Sequence, residues 1–225
     1  MNIGGFQKVD LVNFPGIMAA TVFTMGCDCR CPYCHNPTLV ESLEPLVLEE
    51  KVFSYLSERR GLLEGVVVSG GEPCLQKDLP DFLSALKKIG LKVKLDTNGS
   101  YPRMLSELIT DGLVDYVAMD IKARKERYEE VAGIPASRVE PSVSLLLEGR
   151  VPYEFRTTCV EGLLSLQDIL SIGTWIHGAS LYCLQMFNPS VTLDASYKAR
   201  SSFSRERLEQ AAGALSGDVG RIVIR

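Results

Sequence analysis

A single curved α/β domain built on a mostly parallel sheet is the fold class predicted here, and three observations predict it. Apolar runs of strand length alternate with helical patterns along the chain, and we count six such units. The run at 65–69 is continuously apolar, as in a strand buried on both faces. Across 225 residues no composition break, repeat or low-complexity tract marks a linker, and α/β barrels often reach this length as one unit.

Residues 3–14 read as an extended, half-polar lead-in, and the turn Phe14-Pro15-Gly16 folds it back as a hairpin on the domain edge. The first core strand spans 18–23 and ends in the turn signal Met25-Gly26. Leu48, Val52, Phe53 and Leu56 fall at helical spacing within 46–60, and Gly61 stops that helix. After the strand at 65–69, a second helix starts with Asp78 as N-cap and Pro80 in its first turn. It carries Leu79, Phe82, Leu83, Leu86 and Ile89 on one face and ends at Gly90. Further strands are expected at 91–95, 114–119, 151–160 and 181–187. The helices between them are expected at 103–111, near 125–131, at 138–148 and at 166–177. A helix at 203–214 then leads to a closing strand at 222–224. One domain over 1–225 results, with a hairpin extension (1–17), a core (18–190) and a C-terminal helix and strand (191–225).

Composition limits the function classes. Apolar residues make up 46% of the chain, ample for one large core. A net charge of −4 and a pI near 5.4 argue against a dedicated nucleic-acid surface, which is normally basic. No apolar run approaches the roughly 18 residues of a membrane helix. Met1-Asn2-Ile3-Gly4-Gly5-Phe6 shows no basic segment followed by an apolar one, so no signal peptide is expected. We therefore expect a soluble, cytoplasmic protein. In that compartment seven cysteines imply thiolate or metal chemistry more than disulfides.

In parallel α/β folds, ligands bind at the C-terminal ends of the strands. Six predicted strand ends carry unusual residues: the cysteines after 18–23, Gly70-Gly71-Glu72-Pro73, Asp96-Thr97-Asn98-Gly99, Asp120-Ile121-Lys122, Arg156-Thr157-Thr158 and Asn188-Pro189. Such agreement points to one shared site. The first end holds Cys27, Cys29, Cys31 and Cys34 within eight residues. Read as C-x3-C-x2-C, it makes Cys27, Cys31 and Cys34 ligands of a metal or cluster and leaves Cys29 aside. Other readings stay open. Cys31-Pro32-Tyr33-Cys34-His35 matches a haem c attachment motif, Cys29 or His35 could complete a zinc site, and Cys31/Cys34 could form a redox dithiol. Cys74, Cys159 and Cys183 read as small core residues, and His177 as a surface histidine. At the second end the two glycines let backbone approach a ligand, and Glu72 can accept from an ammonium group. Arg156, among alternating apolar residues, needs an anionic partner; Glu154 or Asp120 would serve structurally.

The C-x3-C-x2-C loop with Tyr33 before its last cysteine resembles the radical S-adenosylmethionine (SAM) enzymes. The following His35-Asn36-Pro37 resembles the glycyl-radical activases, above all activators of anaerobic ribonucleotide reductase. The resemblance runs from residue 3 to about 190 and implies a partial (β/α)6 TIM-like barrel, open on one side, with an N-terminal hairpin. It implies a [4Fe–4S] cluster on Cys27, Cys31 and Cys34, with SAM on the iron that lacks a protein ligand. Gly70, Gly71 and Glu72 would serve SAM's amino group, with Tyr33 beside the cluster. Asp96, Thr97 and Asp120 resemble strand ends of pyruvate formate-lyase activases, which implies a monovalent cation beside SAM's carboxylate, with Lys122 also at the site. Arg156 would meet that carboxylate or a partner's backbone. Asn188 stands where those activases place a histidine near the nucleoside, a departure from their pattern.

The resemblance implies no catalytic residue beyond the cluster and SAM, since the cofactor carries the hard chemistry. The implied partners are a glycyl-radical enzyme and a low-potential electron donor such as flavodoxin or ferredoxin. A radical SAM enzyme acting on a small molecule, similar to 7-carboxy-7-deazaguanine synthase, is the second expectation, because that compact barrel is shared. A non-enzymatic iron–sulfur or zinc scaffold is the third.

Overall fold

All strands join one sheet in which spatial order follows chain order, in this computed structural model describing residues 1–225. Strands β1 (Ile3–Asp10) and β2 (Ala19–Thr24) form an antiparallel hairpin. Parallel to β2, each beside the last, run β3 (Gly65–Gly70), β4 (Lys92–Thr97), β5 (Tyr116–Asp120), β6 (Tyr153–Cys159), β7 (Tyr182–Met186) and β8 (Ile222–Ile224). The first and last strands do not pair, so the sheet curves into an open barrel with edges at β1 and β8. This is the expected partial (β/α)6 barrel with its N-terminal hairpin.

Strand side chains alternate between two environments. Val66, Val68, Val93, Leu95, Val117, Met119, Phe155 and Leu184 join a cluster of 54 buried residues under the helices. Helix α2 (Glu49–Glu58) adds Val52 and Leu56, α3 (Leu79–Lys88) adds Leu79, Phe82, Leu83 and Leu86, and α4 (Pro102–Thr110) adds Leu105 and Leu108. On the barrel's inner side, Phe14, Ala19 and Val67 form a separate apolar floor, packed against Ile17 and Tyr116. Above that floor the inner positions turn polar.

Three local expectations need correction. The helix expected over 46–60 begins at Glu49, because Val47 N donates to Ile3 O at 2.8 Å and so holds the preceding chain against β1. Asp78 sits at the N-cap of α3 but makes no capping bond; its carboxylate pairs with the α-amino group of Met1 at 2.6 Å. The cysteine loop is followed by a short helix, α1 (Pro37–Val40), which no periodicity announced. The later helices are α5 (Tyr128–Ala132), α6 (Glu140–Leu147), α7 (Leu166–Trp175) and α8 (Arg205–Ala214). No helix is long and apolar enough to cross a membrane.

Candidate functional site

A cavity of about 370 Å³ opens at the C-terminal ends of the six core strands. Each strand contributes to its wall: Phe23 from β2, Ser69 from β3, Asp96 and Thr97 from β4, Asp120 from β5, Arg156 and Thr158 from β6, and Gln185 from β7. The cysteine loop adds Cys27, Cys29, Cys31, Tyr33 and Cys34 to the lining. Of the residues singled out from sequence, the structure gathers Cys27, Cys31, Cys34, Tyr33, Gly70, Gly71, Asp96, Thr97, Asp120, Lys122 and Arg156 around this one cavity. It leaves out Glu72 and Asn188.

The cysteine loop is pinned by later parts of the chain. Arg30 N donates to Ala132 O at the end of α5 (2.8 Å), and Arg30 Nη1 donates to the carbonyls of Cys27 and Cys29 at 2.6 and 2.8 Å. Asp28 Oδ2 pairs with Arg138 Nη2 at 2.9 Å, and Pro32 O accepts from Asp194 N at 2.9 Å. All seven cysteines are free thiols. Hydrogen bonding to Cys27 and Cys31, reinforced by burial, pushes the Cys29 thiol up. The same contact brings Cys31 down to about 7. Potential ligand atoms of Cys27, Asp28 and Cys29 also lie within 4.8 Å of one another, but a single ion held there would leave Cys31 and Cys34 unused.

Below the thiols runs a chain of alternating charges. Arg156 Nε donates to Asp120 Oδ1 at 2.7 Å and its Nη1 to Asp96 Oδ2 at 3.2 Å. Lys122 Nζ pairs with Asp120 Oδ2 at 2.8 Å, and Lys94 pairs with Asp96 Oδ1. Burial pushes Asp120 and Asp96 up, but Arg156 with Lys122 and Lys94 outweighs it and holds both carboxyls below their ordinary range. Three cationic side chains thus answer two carboxylates. The monovalent cation expected from the resemblance meets acidic groups whose charge the protein already compensates. Arg156 takes the structural partner Asp120; Glu154, the other candidate, is fully buried and accepts both guanidinium N–H groups of Arg225 at 2.9 Å.

Lys94 escaped the sequence reading. It is 1% exposed in the middle of a strand, two positions before Asp96 and so on the same strand face. That i, i+2 pairing of opposite charges was the available signal.

Glu72 does not line the cavity. Its side chain is fully buried and accepts from Cys74 N at 3.0 Å, Thr97 Oγ1 at 2.7 Å and Asn98 N at 2.6 Å. Burial pushes it up to about 7 against the pull of those donors. It ties two strand ends together. The glycines before it line the cavity and also meet a packing requirement. A Cβ at Gly71 would run into the carbonyl oxygen of Gly26, and one at Gly70, whose φ is +117°, would run into the backbone of Thr24. Close packing on the neighbouring strand end requires them. Asn188 is exposed and its Oδ1 accepts from Ser190 N at 3.0 Å, closing its own turn outside the cavity. His177 is exposed beside Asp218 at 3.1 Å, and Cys74, Cys159 and Cys183 are buried in the core.

The residues present fit a [4Fe–4S] cluster with SAM. Three thiols at the implied spacing share one cavity, and Tyr33 on its wall has a buried hydroxyl without a protein partner. Such an orphaned group calls for a ligand or water to bond.

The Radical SAM superfamily profile matches residues 21–153. A Methanocaldococcus jannaschii protein, provisionally named a glycyl-radical enzyme activating enzyme, is 29% identical over 230 residues, covering 99% of this chain and 95% of its own. The pyruvate formate-lyase 1-activating enzyme of Escherichia coli is 30% identical over 172 residues, covering 71% of this chain and 68% of its own. The anaerobic ribonucleoside-triphosphate reductase-activating protein of Escherichia coli is 33% identical over 93 residues, 40% of this chain and 60% of its own. Among solved structures, a domain of the pyruvate-formate lyase-activating enzyme of Bacteroides vulgatus superposes with a TM-score of 0.59 at 18% identity, covering 72% of this chain and 98% of that one.

Proposed function

Because the chain belongs to the radical SAM superfamily, and within it to the glycyl-radical-enzyme activating enzymes, we propose that it installs the glycyl radical of an anaerobic ribonucleotide reductase. The observation that supports the chemistry best is the convergence of three spaced thiols and the Asp96–Arg156–Asp120 charge chain on one cavity. The choice of partner is supported by the local 33% identity to a reductase activator.

In this reading Cys27, Cys31 and Cys34 hold the cluster, and Cys29 remains a neighbour outside the ligand set. Bound there, the cluster and SAM would supply the one-electron reductive chemistry needed to remove a hydrogen atom from a glycine Cα of the partner. The protein's part is binding and exclusion of water. Phe23, Val40 and Tyr33 give the cavity apolar surface, and Arg156 and Lys122 present positive charge to SAM's carboxylate. Lys94, Arg156 and Lys122 take the electrostatic place of a separate monovalent cation. The electron comes from a low-potential donor of the flavodoxin or ferredoxin type.

The test is anaerobic incubation of reconstituted protein with SAM, a reductant and candidate glycyl-radical enzymes, following 5′-deoxyadenosine release and the glycyl electron paramagnetic resonance (EPR) doublet. A doublet on the reductase is expected. SAM cleavage with a doublet only on pyruvate formate-lyase would overturn the choice of partner, and no SAM cleavage would overturn the activity.

A further inference from the structure

Asn98 lies in the turn after β4, 5% exposed. Its backbone N–H is taken by Glu72 Oε2, and its side-chain Oδ1 accepts from Ser100 N at 2.9 Å. The second bond decides the orientation of the carboxamide, since an amide nitrogen cannot accept from Ser100. Nδ2 must therefore point the other way, into the cysteine loop. There it stands 3.0 Å from Asp28 Oδ1, 3.1 Å from Cys29 Sγ and 3.8 Å from Cys27 Sγ. The cavity's cationic side chains hydrogen-bond Asp96 and Asp120 instead. Asn98 thus brings a neutral donor, fixed at both ends, to the sulfurs of the loop.

We propose that Asn98 is a positioning residue for the cluster: its carboxamide sets residues 27–29 against β4 through Asp28 and Cys29 and, with Nδ2 also 3.8 Å from the ligand sulfur of Cys27, raises the cluster's reduction potential. This rests on the reading of Cys27, Cys31 and Cys34 as cluster ligands. Reduction adds one electron and no proton, so negative charge on the sulfurs grows. A donor aimed at them favours the reduced form over the oxidised one. Asp28 beside the loop acts in the opposite sense, because a nearby carboxylate opposes the incoming electron. Asn98 on Oδ1 and Arg138 on Oδ2 engage both of its oxygens and hold that charge in place. The anchoring to Glu72 and Ser100 keeps the donor from turning away as the charge changes.

The test is an EPR-monitored redox titration of the anaerobically reconstituted full chain without SAM. Iron content and melting of the metal-free protein are recorded beside it. Asn98→Ala should move the midpoint to more negative potential at wild-type iron content. Asn98→Asp, which replaces the donor by a charge, should move it further, and Asn98→Ser, which keeps a shorter donor, should move it less. A midpoint unmoved in all three variants overturns the proposal, and a lowered melting temperature with an unmoved midpoint reduces Asn98 to a purely structural residue. Where Ala and Asp variants take up no iron, the Ser variant decides by the same criterion. Iron loss from all three with wild-type melting supports the positioning role; iron loss with collapsed melting overturns it. A wild type without a [4Fe–4S] signal would instead undo the ligand reading itself.

Discussion

Arg156 and Asp120 are register partners on adjacent strands, and the guanidinium Nε stands 2.7 Å from the carboxylate Oδ1. Arg156 also serves Asp96, so removing it leaves two largely enclosed carboxylates short of a partner. Arg156→Met should cost about 3 kcal/mol in denaturant unfolding of the metal-free protein, as breaking a buried pair does. A loss under about 1 kcal/mol, the level of an exposed pair, would show that solvent compensates the two acids.

Glu72 gives the protein an unusual pH response. Its folded-state pKa, raised by burial to about 7, lies above the ordinary 4.5, so the folded state holds the proton more tightly. The stability it contributes is present below about 4.5 and is lost as pH rises through about 7, a span worth at most about 3 kcal/mol. Melting of the metal-free protein should therefore fall from pH 5 to pH 7.5, and Glu72→Gln should flatten that slope. Parallel slopes in the two proteins would contradict this. Asp96 and Asp120, held low, act in the opposite direction and only in acid: their stabilisation is lost as pH falls below their ordinary range.

Single replacements of Cys27, Cys31 or Cys34 by Ala should abolish the cluster, whereas Cys29→Ala should keep it. Iron and sulfide analysis with EPR of the reduced protein reads the difference. Full cluster loss in Cys29→Ala would overturn the assignment of ligands.

Gly71→Ala should destabilise through a backbone clash that no rotamer relieves, because the added methyl meets the Gly26 carbonyl. A cost of about 1–3 kcal/mol is expected from overpacking. Gly178→Ala is the comparison: its φ of +84° carries strain, but nothing lies within 4 Å of the new Cβ. Equal melting temperatures for the two variants would remove packing as the reason for Gly71.

The strands were legible because a short β-branched run such as Val66-Val67-Val68, between Gly65 and the Gly70-Gly71 turn, suits a strand covered on both faces. The site was legible where residue type and strand end coincided, as at Asp96, Asp120 and Arg156. Legibility failed where the answer depended on which neighbour reaches a group first. Glu72 is drawn inward by Cys74 N in its own turn and by two donors at the end of β4, Asn188 folds onto its own turn, and Asp78 is captured by the α-amino group of Met1. The partners at the end of β4 and at Met1 are distant in sequence from the groups they hold.

Agreement between strand order and chain order also bears on synthesis. Each strand emerging from the ribosome finds its sheet partner already made, so the barrel wall can be laid down progressively from the hairpin. The cysteine loop has a different schedule. Its tie to Asn98 spans 70 residues of chain, and its ties to Ala132 and Arg138 come later still. One of the earliest segments to be translated therefore stays slack until well past the midpoint of the nascent chain. The thiols remain open to incoming iron and sulfide before the wall that encloses them is complete.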